Sequence, residues 1–374
     1  MKYFLISGEA SGDLHASNLM RGLTQHDPHA EFRFMGGDLM KEISGGMILH
    51  YSDTSYMMLD VLLHLGKIFR ALRKIKTEIR NWQPDVVIPV DYPGFNMRIA
   101  RFATSLGCKV FYFISPKVWA WRQRRVKKLK KYTSSLFVIL PFEVAFFSRF
   151  HMEVEYFGNP LVDSVFEFRK KFEGEKIWRK ERGFDSKPIV ALLAGSRRKE
   201  IEALLPHMVD IARENSRYHF VVAGAPSIDP ALYDMYLQGS GVGIVYNETY
   251  ALLECSVAGL VTSGTATLET ALFEIPQVVL YKTGTLAYRI AKRLIKTNFV
   301  SLVNLISGRQ LVKEIIQKDL FNRTREELLR ILEDSAYRRD IVIGYQTLKA
   351  DLGKQGVSNR IGRRMVELLK SELE

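Results

Sequence analysis

Short apolar runs alternate with amphipathic helical stretches along most of this chain, and that alternation restricts the fold more than any other feature. Apolar runs each followed by a helix are the mark of parallel sheets covered on both faces. A first series comprises Tyr3–Ile6, Phe32–Met35, Val86–Val90, Val110–Ile114, Leu136–Ile139 and Val154–Phe157, with helical patterns at Leu14–Leu23, Val61–Trp82 and Asn96–Leu106. A second series comprises Ile189–Leu193, His219–Ala223, Gly243–Tyr246, Ala258–Thr262 and Gln277–Tyr281. Helices are expected there at Glu200–Asn215, Thr249–Cys255 and Thr267–Phe273, and further on at Arg325–Glu333 and Asn359–Leu369. The expected architecture is α/β, with two Rossmann-like domains facing each other across a cleft. They span residues 1–168 and 183–344, joined through the charged stretch around Arg169 to Arg182. The helical residues 345–374 either return to the first domain or exchange with a second copy, giving a homodimer.

A chain of 374 residues with 47% hydrophobic and 25% charged residues has the apolar content to bury two cores, which excludes disorder. Its two cysteines, Cys108 and Cys255, cannot form a disulfide framework, and both lie in apolar stretches. No run approaches the roughly 20 apolar residues of a membrane span, and the first residues lack a signal-peptide pattern. A cytoplasmic protein is expected. The formal charge of +13 then calls for an anionic partner: nucleic acid, a membrane surface or a phosphorylated substrate. The Lys117–Lys131 segment is dense in Lys and Arg and interleaves Trp119 and Trp121. Leu62–Lys76 mixes apolar and basic residues at helical spacing. Basic amphipathic segments with aromatics suit a membrane interface at least as well as RNA.

Four turns between apolar runs and helices carry the candidate chemistry. Gly8-Glu9-Ala10-Ser11-Gly12-Asp13 follows the first run, with Ser11 or Asp13 able to cap the next helix. Its Glu9 would repel phosphate, so sugar-hydroxyl binding or a structural hydrogen bond fits it better. Asp91 stands where Val86–Val90 ends, as a helix cap or as a base able to take a proton from an attacking hydroxyl. Gly195-Ser196-Arg197 sets a guanidinium beside a helix start, which makes an anion site. Ser263-Gly264-Thr265-Ala266-Thr267-Leu268-Glu269 lets phosphate approach backbone, with Glu269 one turn on to accept ribose hydroxyls, or it is an ordinary capped helix start. There is no P-loop, no Gly-x-Ser-x-Gly elbow, no HExxH and no Asp-x-Asp pair, so no metal and no cofactor is expected.

These segments, in this order, resemble the lipid-A-disaccharide synthases, glycosyltransferases of the two-Rossmann (GT-B) class. Further matching segments are Asp91-Tyr92-Pro93-Gly94-Phe95-Asn96, Ser115-Pro116-Lys117-Val118-Trp119-Ala120-Trp121-Arg122-Gln123, Pro141-Phe142-Glu143, Gly158-Asn159-Pro160-Leu161, Ala291-Lys292-Arg293-Leu294 and Val300–Arg309. The resemblance covers about residues 3–320, and the tryptophan segment is its most specific part. The chain departs from the family pattern at Met57-Met58, Arg198-Lys199, Val303 and Gln310. The resemblance implies transfer of 2,3-diacylglucosamine from its UDP derivative to the 6-hydroxyl of 2,3-diacylglucosamine 1-phosphate, inverting and metal-independent. It implies Asp91 and Glu9 as catalytic. It places the donor on Ser196, Arg197, Ser263, Gly264, Thr265, Ala266, Thr267, Glu269 and Asn304. Ser11, Met57, Met58, Trp119, Trp121 and Arg122 would serve the acceptor and lipid side. The implied setting is the inner membrane of a Gram-negative bacterium, with an anionic lipid surface as partner and no nucleic acid.

Overall fold

A computed structural model describes residues 1–53, 65–284 and 297–371. Met57, Met58 and the rest of the expected acyl-contacting segment lie outside the described residues, as does Ala291-Lys292-Arg293-Leu294. The chain divides into two compact units, one formed by Met1–Asp163 with Leu352–Glu374 and the other by Ser164–Asp351.

The first unit is built on an all-parallel seven-stranded sheet of order β3-β2-β1-β4-β5-β6-β7. Its strands are β1 (Lys2–Ser7), β2 (Glu31–Gly36), β3 (Met47–His50), β4 (Val86–Val90), β5 (Lys109–Phe113), β6 (Ser135–Val138) and β7 (Glu155–Tyr156). The central strands are apolar throughout because both faces are covered. Tyr3, Leu5, Ile88 and Val90 pack with the Ala10–His26 and Val357–Lys370 helices, while Phe4, Ile6 and Val87 pack with Leu65–Trp82 and Pro93–Ser105. The second unit repeats the design with order β10-β9-β8-β11-β12-β13. Its strands are β8 (Ile189–Leu193), β9 (His219–Gly224), β10 (Gly243–Tyr246), β11 (Ser256–Thr262), β12 (Gln277–Tyr281) and β13 (Glu314–Ile316). The two parallel sheets with their helices are the α/β class expected. The charged stretch around Arg169 to Arg182, expected to join the two domains, is mostly helical, within Leu161–Lys171 and Glu175–Arg182, and falls in the second unit.

In both sheets the strand order reverses once. The reversal falls between β1 and β4 in the first and between β8 and β11 in the second. Chains leaving neighbouring strands at such a point diverge to opposite faces and leave a crevice beyond the carboxyl ends, where α/β proteins bind ligands. All four candidate turns of the sequence sit at these two places.

The C-terminal helix Val357–Lys370 lies along Ala10–His26 of the same unit, burying Ile361, Met365, Val366 and Leu369. Two glycines permit the close approach: a Cβ on Gly22 would fall 2.4 Å from the Ser358 carbonyl oxygen, and one on Gly362 2.6 Å from the Gly22 carbonyl carbon. Gly362→Val should therefore cost about 1–3 kcal/mol through overpacking. A lower melting temperature and faster proteolytic cleavage near Gly353 and Gly356 are the expected readouts.

Candidate functional site

In the first unit the site grows from the strand ends. Ser7 closes β1 opposite Val90 of β4, so the Gly8–Asp13 turn and the Asp91 turn leave the sheet side by side. Gly8 is obligatory there, since a Cβ would lie 2.3 Å from the Tyr92 ring. Asp91 and Tyr92 both take left-handed backbone angles, with φ of 44° and 46°, which costs L-residues strain. Four hydrogen bonds over-determine the turn. The Asp91 N–H donates to the Phe113 carbonyl at 3.0 Å, and the Asp91 carbonyl accepts from the Tyr112 hydroxyl at 2.6 Å and from Asn96 Nδ2 at 2.8 Å. Asn96 Nδ2 also reaches the Val90 carbonyl at 3.1 Å.

None of these four bonds uses the Asp91 carboxyl. Burial pushes its pKa up to about 6, the Lys117 ammonium pulls it down, and the Glu9 carboxylate pushes it up. A carboxyl poised between acid and base at neutral pH is what proton abstraction from a hydroxyl requires. Glu9 and Ser11 are exposed at this end. Neither Ser11 nor Asp13 caps the following helix, which has no side-chain cap. Asp13 is buried instead and accepts from the backbone N–H groups of Gly37, Leu39 and Met40 at 2.7, 3.1 and 3.3 Å. It holds the loop after β2 and is not available to a ligand.

The tryptophan segment divides into two roles. Trp119 is buried and meets Phe142 edge-on at 5.0 Å, so the expectation that it contacts lipid is corrected: its ring belongs to the core. Trp121 is 40% exposed, with the Arg122 and Arg125 guanidinium groups 4.4 and 5.6 Å from its ring centre. An aromatic flanked by two cations, followed by exposed Lys127, Lys128, Lys130 and Lys131, suits an anionic interface. Two residues escaped the sequence reading as site groups. Lys117 is exposed and acts on Asp91 electrostatically. Glu143 is buried, accepts from Ser115 Oγ at 2.6 Å and from the Leu140 N–H at 3.0 Å, and has its pKa raised to about 7 by burial. It ties the β5 exit to the β6 exit and so fixes the loop that carries Lys117. The Pro141-Phe142-Glu143 pattern, with Glu at the third helical position reaching back, was the available signal.

In the second unit, Arg197 stands at the cap position of the Arg198–Arg213 helix, which has no side-chain cap. Ser196 and Arg197 are exposed, and Arg197 makes a 3.3 Å ion pair with Glu200. A surface pair of this kind is worth about 0–1 kcal/mol and yields readily to a doubly charged ligand. On the neighbouring strand, Gly264 caps Thr265–Leu272, again without a side-chain cap. Half-buried Ser263, Gly264, Thr265 and Ala266 line this turn, and the Ser263 hydroxyl donates to the Val300 carbonyl at 2.7 Å. Two uncapped helix starts on neighbouring strands, one of them carrying an arginine at its cap position, favour a phosphate or diphosphate.

Two donor-site expectations are corrected. Thr267 is fully buried and spends its hydroxyl on the Gly264 carbonyl at 2.8 Å. Asn304 is fully buried and saturated: Nδ2 donates to the Val312 carbonyl and Glu314 at 2.9 Å each, and Oδ1 accepts from the Leu311 and Val312 N–H groups at 2.8 and 2.9 Å. Both build the turn from behind. Glu269 is half-buried, with Oε1 accepting from the Tyr250 hydroxyl at 2.9 Å.

Comparison with known proteins adds the family. The lipid-A-disaccharide synthetase family model matches residues 3–360. A lipid-A-disaccharide synthase of Geobacter sulfurreducens is 34% identical over 380 residues, covering 100% of this chain and 98% of that protein. Among solved structures, the UDP-GlcNAc 2-epimerase of Neisseria meningitidis bound to UDP-GlcNAc has a TM-score of 0.73 at 12% identity, over 98% of this chain and all of that one (100%). The glycotransferase of kitacinnamycin has a TM-score of 0.63 at 14% identity, over 98% of both chains. Identities this low establish the fold alone.

Proposed function

The chain belongs to the lipid-A-disaccharide synthase family, a family of glycosyltransferases that form the lipid A disaccharide, and on that premise we propose the finer reaction and its machinery. The donor is UDP-2,3-diacylglucosamine and the acceptor 2,3-diacylglucosamine 1-phosphate. Asp91 removes the proton of the acceptor 6-hydroxyl as that oxygen attacks the anomeric carbon of the donor. The bond from that carbon to the diphosphate breaks, UDP leaves, and a single displacement inverts the centre to a β-1,6 linkage. Arg197 and the helix starts at Arg198 and Thr265 take up the charge developing on UDP, so no metal is needed. The observation that carries this reading is the strained Asp91 turn, with its carboxyl held near 6 between Glu9 and Lys117. Trp121, Arg122 and Arg125 support docking on the cytoplasmic face of the inner membrane of a Gram-negative bacterium. Among the described residues no helix is long and apolar enough to cross a membrane.

The test is product analysis with both acylated substrates in excess chelator. Disaccharide and UDP in equal amounts are expected; activity abolished by chelator would overturn the metal-free mechanism. A base must be ionised, so kcat/KM should rise with pH through about 6 and level off above it. The acceptor phosphate itself titrates near 6, so shifts in variants are the decisive readout. Glu9→Gln should move the midpoint down and Lys117→Met should move it up. Equal midpoints in all three proteins would remove Asp91 as the titrating group. For the donor turn, Arg197→Ala should weaken UDP binding about 10- to 100-fold, the effect of losing a charge-assisted contact. Thr267→Val, altering a hydroxyl that faces inward, should change UDP affinity by less than about 2-fold while lowering the melting temperature.

A further inference from the structure

Glu269 presents a difficulty as a ribose ligand. Its last torsion is soft, so an unanchored carboxylate has no fixed direction in which to meet a pair of hydroxyls. The Tyr250 hydroxyl supplies an anchor 2.9 Å from Oε1. Tyr250 itself is held firmly. Its ring meets Phe168 edge-on at 5.6 Å and an 84° interplanar angle, and meets Phe273 at 5.2 Å and 59°. Phe168 closes the cluster by packing edge-on against Phe273 at 5.9 Å. Two phenylalanine rings thus fix the Tyr250 phenol, and the phenol fixes one carboxylate oxygen. Oε2 has no hydrogen-bond partner among the described residues. Burial holds the Tyr250 phenol well above its usual range, so it stays protonated and remains a donor at any working pH.

We infer that Tyr250 is a positioning residue for the nucleotide ribose: by donating to Oε1 of Glu269 it aims both carboxylate oxygens at the two ribose hydroxyls of the UDP donor. The inference rests on the reading of Ser263–Glu269 as the donor turn. Oε1 shares its second lone pair with one ribose hydroxyl while Oε2 accepts the other. Specificity for a ribonucleotide then depends on a side chain that never touches it.

The experiment measures binding of UDP and of its 2′-deoxy and 3′-deoxy analogues to the wild type, Tyr250→Phe and Glu269→Gln. Phenylalanine keeps the ring cluster, so folding should be preserved, and melting curves check it. The wild type should prefer UDP to either analogue by about 10-fold or more, the preference a hydrogen-bonding site gives when a hydroxyl is missing. In Tyr250→Phe the UDP affinity should fall most, and each analogue, which keeps one of the two hydroxyl contacts, should fall less, so that the preference for UDP narrows; Glu269→Gln should behave alike. A Tyr250→Phe protein that weakens all three ligands equally, or none, overturns the positioning role. A well-folded wild type that binds no UDP overturns the donor-turn reading itself, which is a separate failure.

Discussion

Asp91→Asn is expected to lower turnover by about 10³-fold or more while making the protein more stable at neutral pH. The turn should survive the exchange intact. Asn tolerates left-handed backbone at least as well as Asp, and the bonds that define the turn come from the Asp91 backbone, through Phe113, Tyr112 and Asn96. What changes is the charge. The folded pKa of about 6 lies above the ordinary 3.8, so folding disfavours the ionised form. The stability associated with this group is complete below about pH 4 and is lost as the pH rises through about 6. Removing the charge should thus stabilise the protein by roughly 1–3 kcal/mol at pH 8 and by almost nothing at pH 4. UDP affinity, set in the other unit, should not move. Thermal melts at the two pH values, beside turnover, check both halves. Retained turnover would end the base assignment. Lost turnover without the pH-dependent gain would mean that the carboxyl is solvated rather than buried.

The two sheets were legible because their inner strands are apolar on both faces, and a run such as Val86–Val90 has no other stable use. The edge strands β3 and β13 were not. Met47–His50 is half-buried along its length, and Glu314–Ile316 is short and opens on a charged residue that serves Ser301 and Asn304. Asp91 could be picked out from its place at a strand exit. Thr267 and Asn304 misled because neither residue type nor a family resemblance says which way a polar group faces. For Thr267 a corrective was available: Thr270 and Ala271, three and four positions on, share its buried face. Tyr250 could not be found from sequence, since it meets Glu269 only through tertiary packing. The fold did not decide the chemistry either. A 2-epimerase shares it at 12% identity, so the fold alone does not select the activity.

Asn96→Asp should be the most disruptive single exchange in the first unit, although it alters only one side-chain group. Asn96 is fully buried at the start of the Pro93–Ser105 helix, and its Nδ2 lies 3.2 Å from the Ile6 carbonyl, 3.1 Å from that of Val90 and 2.8 Å from that of Asp91. One amide thus joins the ends of β1 and β4 to the turn between sheet and helix. Aspartate would set a carboxylate against those three acceptors, with no donor to satisfy either side. Leaving buried carbonyls unpaired beside an uncompensated charge costs about 3–5 kcal/mol. The new carboxyl would have to protonate in order to fold, so its folded pKa would be raised and stability would return as the pH falls. Melting should therefore drop steeply at pH 8 and partly recover at pH 5, a direction that a mere packing defect would not show. Asn96→Ala should also destabilise, but without the pH dependence. A melting temperature for Asn96→Asp equal to the wild type at both pH values would show that the turn is held by other groups. In the folded fraction of Asn96→Ala, turnover should fall further than UDP affinity, because the strained Asp91 backbone keeps its left-handed geometry only while its neighbours enforce it. The reactivity of Asp91 is in this sense a property of Asn96, Tyr112 and Gly8 as much as of the carboxylate.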